Sequence, residues 1–379
     1  MTMTFLLLAC DTNPADSGAA ETADTGSPDT ADSADTGAES GDSAGDSGDT
    51  ADTADTSETD WCTASVVQFA GSDGVVEDVT ASFLSGAYLT LDAPGTLHVC
   101  PGTWYSRVLV RAAIVVEGHG ATPADTVMSG GESGTILDVL GPVGTLEVRN
   151  VTLDRGVGLD VDHNSGGGGI YCEGEGTVLA EDVVFSNNFA NDGPGLYVRY
   201  CETTVTRSEF VDNIAEDDGG AATIWYANAA FDEVTFTRNT ALDGGALCVF
   251  YGSATVTNSV IEGNQSEHFA GGVWTNESTL FMSDTRIADN HNTVDNGGGL
   301  LLAGEGTLER VTFEDNEAPR GGGLFVYYES IVTCTNCSFA GNVAEDVYVA
   351  DYSSAGGVSL TGSDDWSFSC ASNVCTTTE

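Results

Sequence analysis

Apolar residues in this chain return at a fixed distance that fits neither a helix nor an isolated hairpin. From residue 185 onward, an apolar residue, two others and an asparagine recur seven times: Phe185/Asn188, Phe210/Asn213, Phe236/Asn239, Ile261/Asn264, Ile287/Asn290, Phe313/Asn316 and Phe339/Asn342. The asparagines are 25, 26, 25, 26, 26 and 26 residues apart. Each except the last is followed by a glycine pair, once as Gly-Pro-Gly, that leads into an apolar run such as GPGLYV, GGALCVF or GGGLFVYY. A further copy, GGGGIYC, precedes the series. Each period holds two or three short β-type runs, for example TTVTRSEF, separated by turn residues, and no 3.6-residue apolar period is present.

Two signals in phase over seven periods predict a coil with one strand on each face, like residues stacking once per turn at about 4.8 Å. The LxxLxL frame of a leucine-rich repeat is absent. The fold class expected is therefore all-β, a right-handed parallel β-helix over residues 96–350, with about ten turns and a length of about 50 Å. Asparagine side chains can ladder between turns, and the glycines allow positive φ at a corner. Residues 61–95 read as an N-terminal cap and residues 351–379 as a C-terminal cap or tail.

The first turns are less regular. The stretch with Pro101-Gly102-Thr103-Trp104-Tyr105 and Glu117-Gly118-His119-Gly120 resembles the opening of pectin-lyase-like β-helix proteins. The later FxxN and GG(A/L/I/V) pairs look like the repeats of chlamydial polymorphic outer-membrane proteins. Together the resemblance covers roughly residues 90–350. It implies the fold and admits polysaccharide lyases and hydrolases among its activities. Polymorphic outer-membrane proteins end in an autotransporter barrel, and nothing after Val349 reads as one.

Composition narrows the partners. The chain has 59 acidic and 10 basic residues, all ten arginine, for a formal charge of −49. That field disfavours nucleic acid, anionic lipid head groups and polyuronates. Residues 11–60 carry 15 of the acids and no base, and lack the apolar residues needed to fold, so they are expected to be a disordered tether. Before them, residues 1–10 end in Leu7-Leu8-Ala9-Cys10, which resembles a lipoprotein signal with Cys10 as the lipidated residue. The basic segment of such a signal is missing and its apolar run is short. A lipid-anchored protein of the bacterial envelope, or a secreted one, is the localisation expected, with membrane contact only through the lipid.

The ten cysteines form no metal pattern with the scarce histidines. Disulfide candidates are Cys62 with Cys100, Cys172 with Cys201, and Cys370 with Cys375, and Cys248 is the candidate for a free thiol. Cys334 and Cys337 form a CxxC in a strand-like run, where redox activity is not expected. The arginines do not line one strand position, so the arginine base of a lyase has no obvious seat. Asp217-Asp218 precedes Gly219-Gly220, where aspartate commonly caps a turn, and Asp364-Asp365 lies in the tail. Asp192, Asp218 and Asp243 recur a turn apart. Calcium between them would relieve their repulsion, and solvated Asx turns are the alternative.

Counting from the second glycine places Ile170, Leu196, Ala221, Ala246, Val273, Leu300 and Leu324 inside, with the third residues, among them Cys172 and Cys248, also inside. The second residues should then face out: Tyr171, Tyr197, Ala222, Leu247, Trp274, Leu301 and Phe325. Tyr171, Tyr197, Trp274 and Phe325 are thus candidate binding residues for a glycan or surface protein, unless a loop or the tail covers them. Tyr200, Trp225 and Phe250, with Tyr328 later, read as an internal aromatic stack. The functional expectation is a monomeric, non-enzymatic binding protein without a cofactor, calcium being admissible. A polysaccharide lyase or hydrolase on the same fold is the alternative, and a purely structural envelope component a third.

Overall fold

Every period of the sequence becomes one turn of a parallel coil, because each strand finds its like a turn away rather than beside it in the chain. The computed structural model describes residues 61–63, 66–141, 144–158, 166–327 and 329–350, and the strand backbones of 358–362 and 368–370. Within them the chain is nearly all β and winds as a right-handed parallel β-helix of about nine turns.

Three ladders line the coil. The first contains Ile170–Glu173, Leu196–Arg199, Ala222–Trp225 and Leu247–Phe250. The second contains Glu202–Thr206, Asn228–Asp232 and Ser253–Thr257. The third contains Glu209–Val211, Thr235–Thr237 and Val260–Glu262. A minor ladder of two-residue strands, such as Phe189–Ala190 and Ile214–Ala215, follows Asn188, Asn213, Asn239, Asn264 and Asn290. At the N-terminal end Val67–Gly71 runs antiparallel to Val76–Asp78 and to Gly95–Val99, and helix Thr80–Ser85 packs nearby through Phe83. Leu89–Leu91 is already parallel to Val108–Val110.

Inside, like lies on like. Phe185 stacks on Phe210 at 4.3 Å and Phe210 on Phe236 at 4.9 Å, with interplanar angles of 1° and 6°. Ile261 and Ile287 continue the column, and Phe313 stacks on Phe339 at 4.8 Å. Beside it runs the asparagine ladder. In Asn213, Nδ2 and the backbone N–H both donate to Oδ1 of Asn239, at 2.9 and 3.1 Å. The other Nδ2 hydrogen goes to the Phe185 carbonyl at 2.9 Å. The same set repeats through Asn239, Asn264, Asn290 and Asn316, and all of these are buried. Each amide is fully paired, which is the condition for burying it at no net cost.

The register departs from the sequence expectation in two turns. Leu196 pairs with Ala222, Ala222 with Leu247, and Leu247 with Val273. Ala221 and Ala246 therefore stand one position before the strand, where other turns carry a glycine. The carbonyl of Ala246 accepts from both Ala221 N–H and Ala222 N–H. The true origin of each turn is the left-handed corner residue three places before the strand: Gly193, Gly219, Gly244, Ala270, Gly297 and Gly321, with φ between 48° and 77°. As a result Ile224 and Val249 point inward, while Thr223 and Cys248 join the Tyr197 and Trp274 row.

Replacing Asn239 with alanine would orphan the N–H and one Nδ2 hydrogen of Asn213 in a dry core and take one of the two donors from Asn264 Oδ1. Unfolding in guanidinium should show a loss of about 3 kcal/mol or more. Thr255→Ala, on the exposed face of the strand Ser253–Thr257, should cost less than about 1 kcal/mol.

Candidate functional site

The row expected to face out does point away from the coil interior, yet it is covered. Tyr171, Tyr197 and Phe325 are buried, and Trp274 is half-buried. This corrects their assignment as an exposed binding row. The cover is the glycine corners that border the row: a Cβ on Gly166 would sit 2.4 Å from the Tyr197 ring and one on Gly321 3.0 Å from Phe325 Cβ. A Cβ on Gly219 would sit 2.3 Å from Thr223 Oγ1, and one on Gly244 would sit 2.3 Å from Cys248 Sγ. Tyr171 and Tyr197 stack on each other at 5.5 Å, and Tyr171 donates to Glu173 Oε2 at 2.7 Å. Leu301, Phe325 and Ala270 form a second, smaller core under the corner.

The aromatic surface lies one corner further on. Tyr200, Tyr226 and Tyr251 occupy the left-handed turn between the first and second ladders, with φ of 62°, 49° and 55°. They are 49%, 44% and 38% exposed, so Tyr200 is not part of an internal stack as the sequence reading had it. Tyr200 stacks on Tyr226 at 5.5 Å and Tyr226 on Tyr251 at 4.8 Å. Trp225 meets Tyr226 and Tyr251 edge-on, at 6.0 and 5.9 Å. Phe250, paired with Trp225, is buried and belongs to the packing beneath. Alongside runs a polar row in which Asn228 Nδ2 donates to Glu202 at 2.9 Å and Ser253 Oγ donates to Asn228 at 2.6 Å. Tyr226 and Tyr251 escaped the sequence reading, although their steps from Tyr200 of 26 and 25 residues keep the asparagine phase.

The acid row converges as well. Carboxylate oxygens of Asp192, Asp217 and Asp218 lie within 4.8 Å of one another. Asp192 Oδ1 accepts the Asp218 N–H at 3.2 Å, and Asp243 Oδ1 accepts the Phe269 N–H at 2.9 Å. The Asp218 carboxyl, in a residue only 7% exposed, accepts no hydrogen bond from the described residues. Burial raises Asp192 and Asp243 to about 6, and burial together with the neighbouring aspartates pushes Asp218 well up. His268 Nδ1 stands 3.7 Å from Asp243 Oδ1. Cys248, buried against this cluster, is the free thiol among the described residues, and its pKa is raised by burial and then by Asp218.

Elsewhere the structure joins Cys62 to Cys100, Cys172 to Cys201 and Cys334 to Cys337. Cys10, Cys375, Tyr328, Asp364 and Asp365 lie outside the described residues, and of Cys370 only the backbone is described. A groove of about 600 Å³ beside Thr122 is lined by Asp182, Arg207, Glu209 and Glu233, but Arg207 is held there by Glu181 and Asp182. No helix among the described residues is long and apolar enough to cross a membrane.

Residues 140–365 match the family model described as a right handed beta helix region. Two relatives from Dictyostelium discoideum are similar to part of the chain. Metabotropic glutamate receptor-like protein R is 24% identical over 220 residues, covering 56% of this chain and 13% of that protein. Metabotropic glutamate receptor-like protein P is 22% identical over 279 residues, covering 65% of this chain and 19% of that protein. The chain thus spans less than a fifth of either relative. Among solved structures it is similar to the Azotobacter vinelandii mannuronan C-5 epimerase AlgE4 A-module, with 12% identity and a TM-score of 0.31. That match covers 76% of this chain and 92% of that one.

The buried aspartates make stability depend on pH. Their folded pKa values lie above the value of about 3.9 in an unfolded chain, so the folded state holds more protons and loses stability as pH rises. In calcium-free buffer the melting temperature should fall between about pH 4 and 6 and continue downward where Asp218 titrates. Asp218→Asn should flatten that profile and raise the melting temperature at pH 8.

Proposed function

The chain belongs to the right handed beta helix family, and from that premise we propose that it is a non-enzymatic scaffold that binds neutral glycans at the corner formed by Tyr200, Tyr226 and Tyr251. The observation that carries this reading is the exposure of three in-phase tyrosines in a left-handed turn. A bulky residue with positive φ is disfavoured by roughly 1–2 kcal/mol, and the coil needs no aromatic there, since Glu277 and Glu329 take the same conformation in later turns. Rings supply contact area for the C–H faces of sugars, and the Glu202, Asn228 and Ser253 row supplies partners for hydroxyls. Neutral sugars fit better than acidic ones. The net charge repels polyanions, and Arg207, Arg238, Arg286 and Arg310 are each tied to acids of neighbouring turns.

The anchor and tether complete the proposal. Lipid on Cys10 and the acidic residues 11–60 would hold the coil away from a bacterial envelope surface, with the protein acting as a monomer. A glycan array and affinity electrophoresis test the binding. Each ring contact is worth about 0.5–1.5 kcal/mol, so the triple variant Y200A/Y226A/Y251A should lose at least about tenfold in affinity while still folding and melting cooperatively. Reducing ends or unsaturated uronates released by the purified protein would overturn the non-enzymatic reading in favour of a polysaccharide lyase or hydrolase.

Calcium enters the proposal as an occupant of Asp192, Asp217 and Asp218, with Asp243 beside them. Hard oxygen donors suit that ion, and its charge would offset the repulsion of buried carboxylates. Millimolar calcium should then raise the melting temperature of the wild-type protein at pH 8 and leave Asp218→Asn unmoved.

A further inference from the structure

We propose that His98, Glu117 and His119 form a binding site for a borderline divalent transition-metal ion, with zinc the best chemical match, where the N-terminal cap meets the coil. His98 lies in the strand Gly95–Val99, and Glu117 stands opposite it in Ala113–Gly118. His119 is two residues beyond Glu117, so the two share a face. His98 Nδ1 is 2.9 Å from His119 Nε2 and 3.5 Å from Glu117 Oε2. All three ligand atoms lie within 4.8 Å of one another. Nitrogen and oxygen ligands at about 2.0–2.1 Å on a tetrahedral zinc stand about 3.3 Å apart. The three side chains are therefore already near that spacing, and small rotations of the half-buried Glu117 and His119 would turn their lone pairs toward the same point as that of His98.

The surroundings favour a built site over a chance cluster. His98 is 7% exposed, and the Trp61 indole stacks on its ring at 3.7 Å with an interplanar angle of 10°. Trp61 is held by Gln68, whose Nε2 donates to its carbonyl at 2.9 Å, and by the neighbouring Cys62–Cys100 disulfide. The imidazole is thus fixed in orientation before any ligand arrives, which lowers the cost of binding. Two imidazoles and one carboxylate select zinc, copper or nickel over calcium or magnesium. Glu117 and His119 are half-buried, which leaves the outer side for a water as fourth ligand.

The test uses the full chain, dialysed against chelator and titrated with zinc by calorimetry, with melting curves and the visible spectrum of the cobalt form as further readouts. One zinc per chain and a raised melting temperature are expected for the wild type and for His291→Ala, whose histidine pairs with Glu317 elsewhere. His119→Ala should weaken zinc by more than about 100-fold, since even losing an outer-sphere partner costs 10–100-fold, and should abolish the cobalt bands. Glu117→Gln, at an accessible ligand, covers the case in which His119→Ala fails to fold, and at least about tenfold weakening is expected. Absence of saturable zinc binding by the wild type would overturn the site. So would unchanged zinc affinity in whichever of these two variants folds.

Discussion

A buried amide must be fully hydrogen-bonded, and the asparagine ladder meets that demand only if each turn repeats the last. Asn213, Asn239, Asn264, Asn290 and Asn316 each donate to the next turn's Oδ1 and to a carbonyl of the previous turn. An amide that slipped by one residue would lose these bonds together, in a place water cannot reach. The phenylalanine column is placed by the same constraint, because Phe185, Phe210 and Phe236 lie three residues before their asparagines. Length variation is pushed into the stretch that follows. Asn188 to the left-handed Gly193 is five steps, whereas Asn290 to Gly297 is seven.

The acidity of the chain is accommodated by the same stacking. Once like positions lie a turn apart, an acid stacked on an acid costs energy and an arginine placed between acids relieves it. Arg207 follows Asp182, Arg238 follows Asp212 and Arg310 follows Asp284 in the corner columns. Each such pair is exposed and worth little singly. Their effect is to keep neighbouring turns from repelling. The exception is the corner with Asp192, Asp217, Asp218 and Asp243, where carboxyls gather and no arginine is interposed, His268 Nδ1 standing 3.7 Å from Asp243 Oδ1. That exception is why the corner stands out as a place for protons or a cation.

Positions that the coil requires for itself carry little functional information. The tyrosine corner and the aspartate cluster keep the phase of the repeat with side chains the coil does not need there, and the paired histidines lie in the first turns, where no repeat exists. The tyrosines accept an unfavourable backbone conformation while remaining in water, and the histidines place two ring nitrogens face to face beneath a tryptophan.

How much of this was legible in the sequence follows from the range of the interactions. Periodicity at 25 or 26 residues with strand-like runs was enough for the parallel coil, because stacking identical residues is the one arrangement that pairs Asn213 with Asn239 and Phe210 with Phe236. The acid row was legible for the same reason. The side chains that meet water were not, since alternation along a strand tells inside from outside but not what crosses over the outside. The glycine corners do that here: Gly219 and Gly244 lie on Thr223 and Cys248, Gly166 on Tyr197, and Gly321 on Phe325. The one-residue shift at Ala221 and Ala246 was hidden because alanine fills a glycine-sized space at the strand entrance. The approach of His98 to His119 was decided only by the fold, which lays two irregular strands side by side where no repeat exists to announce it.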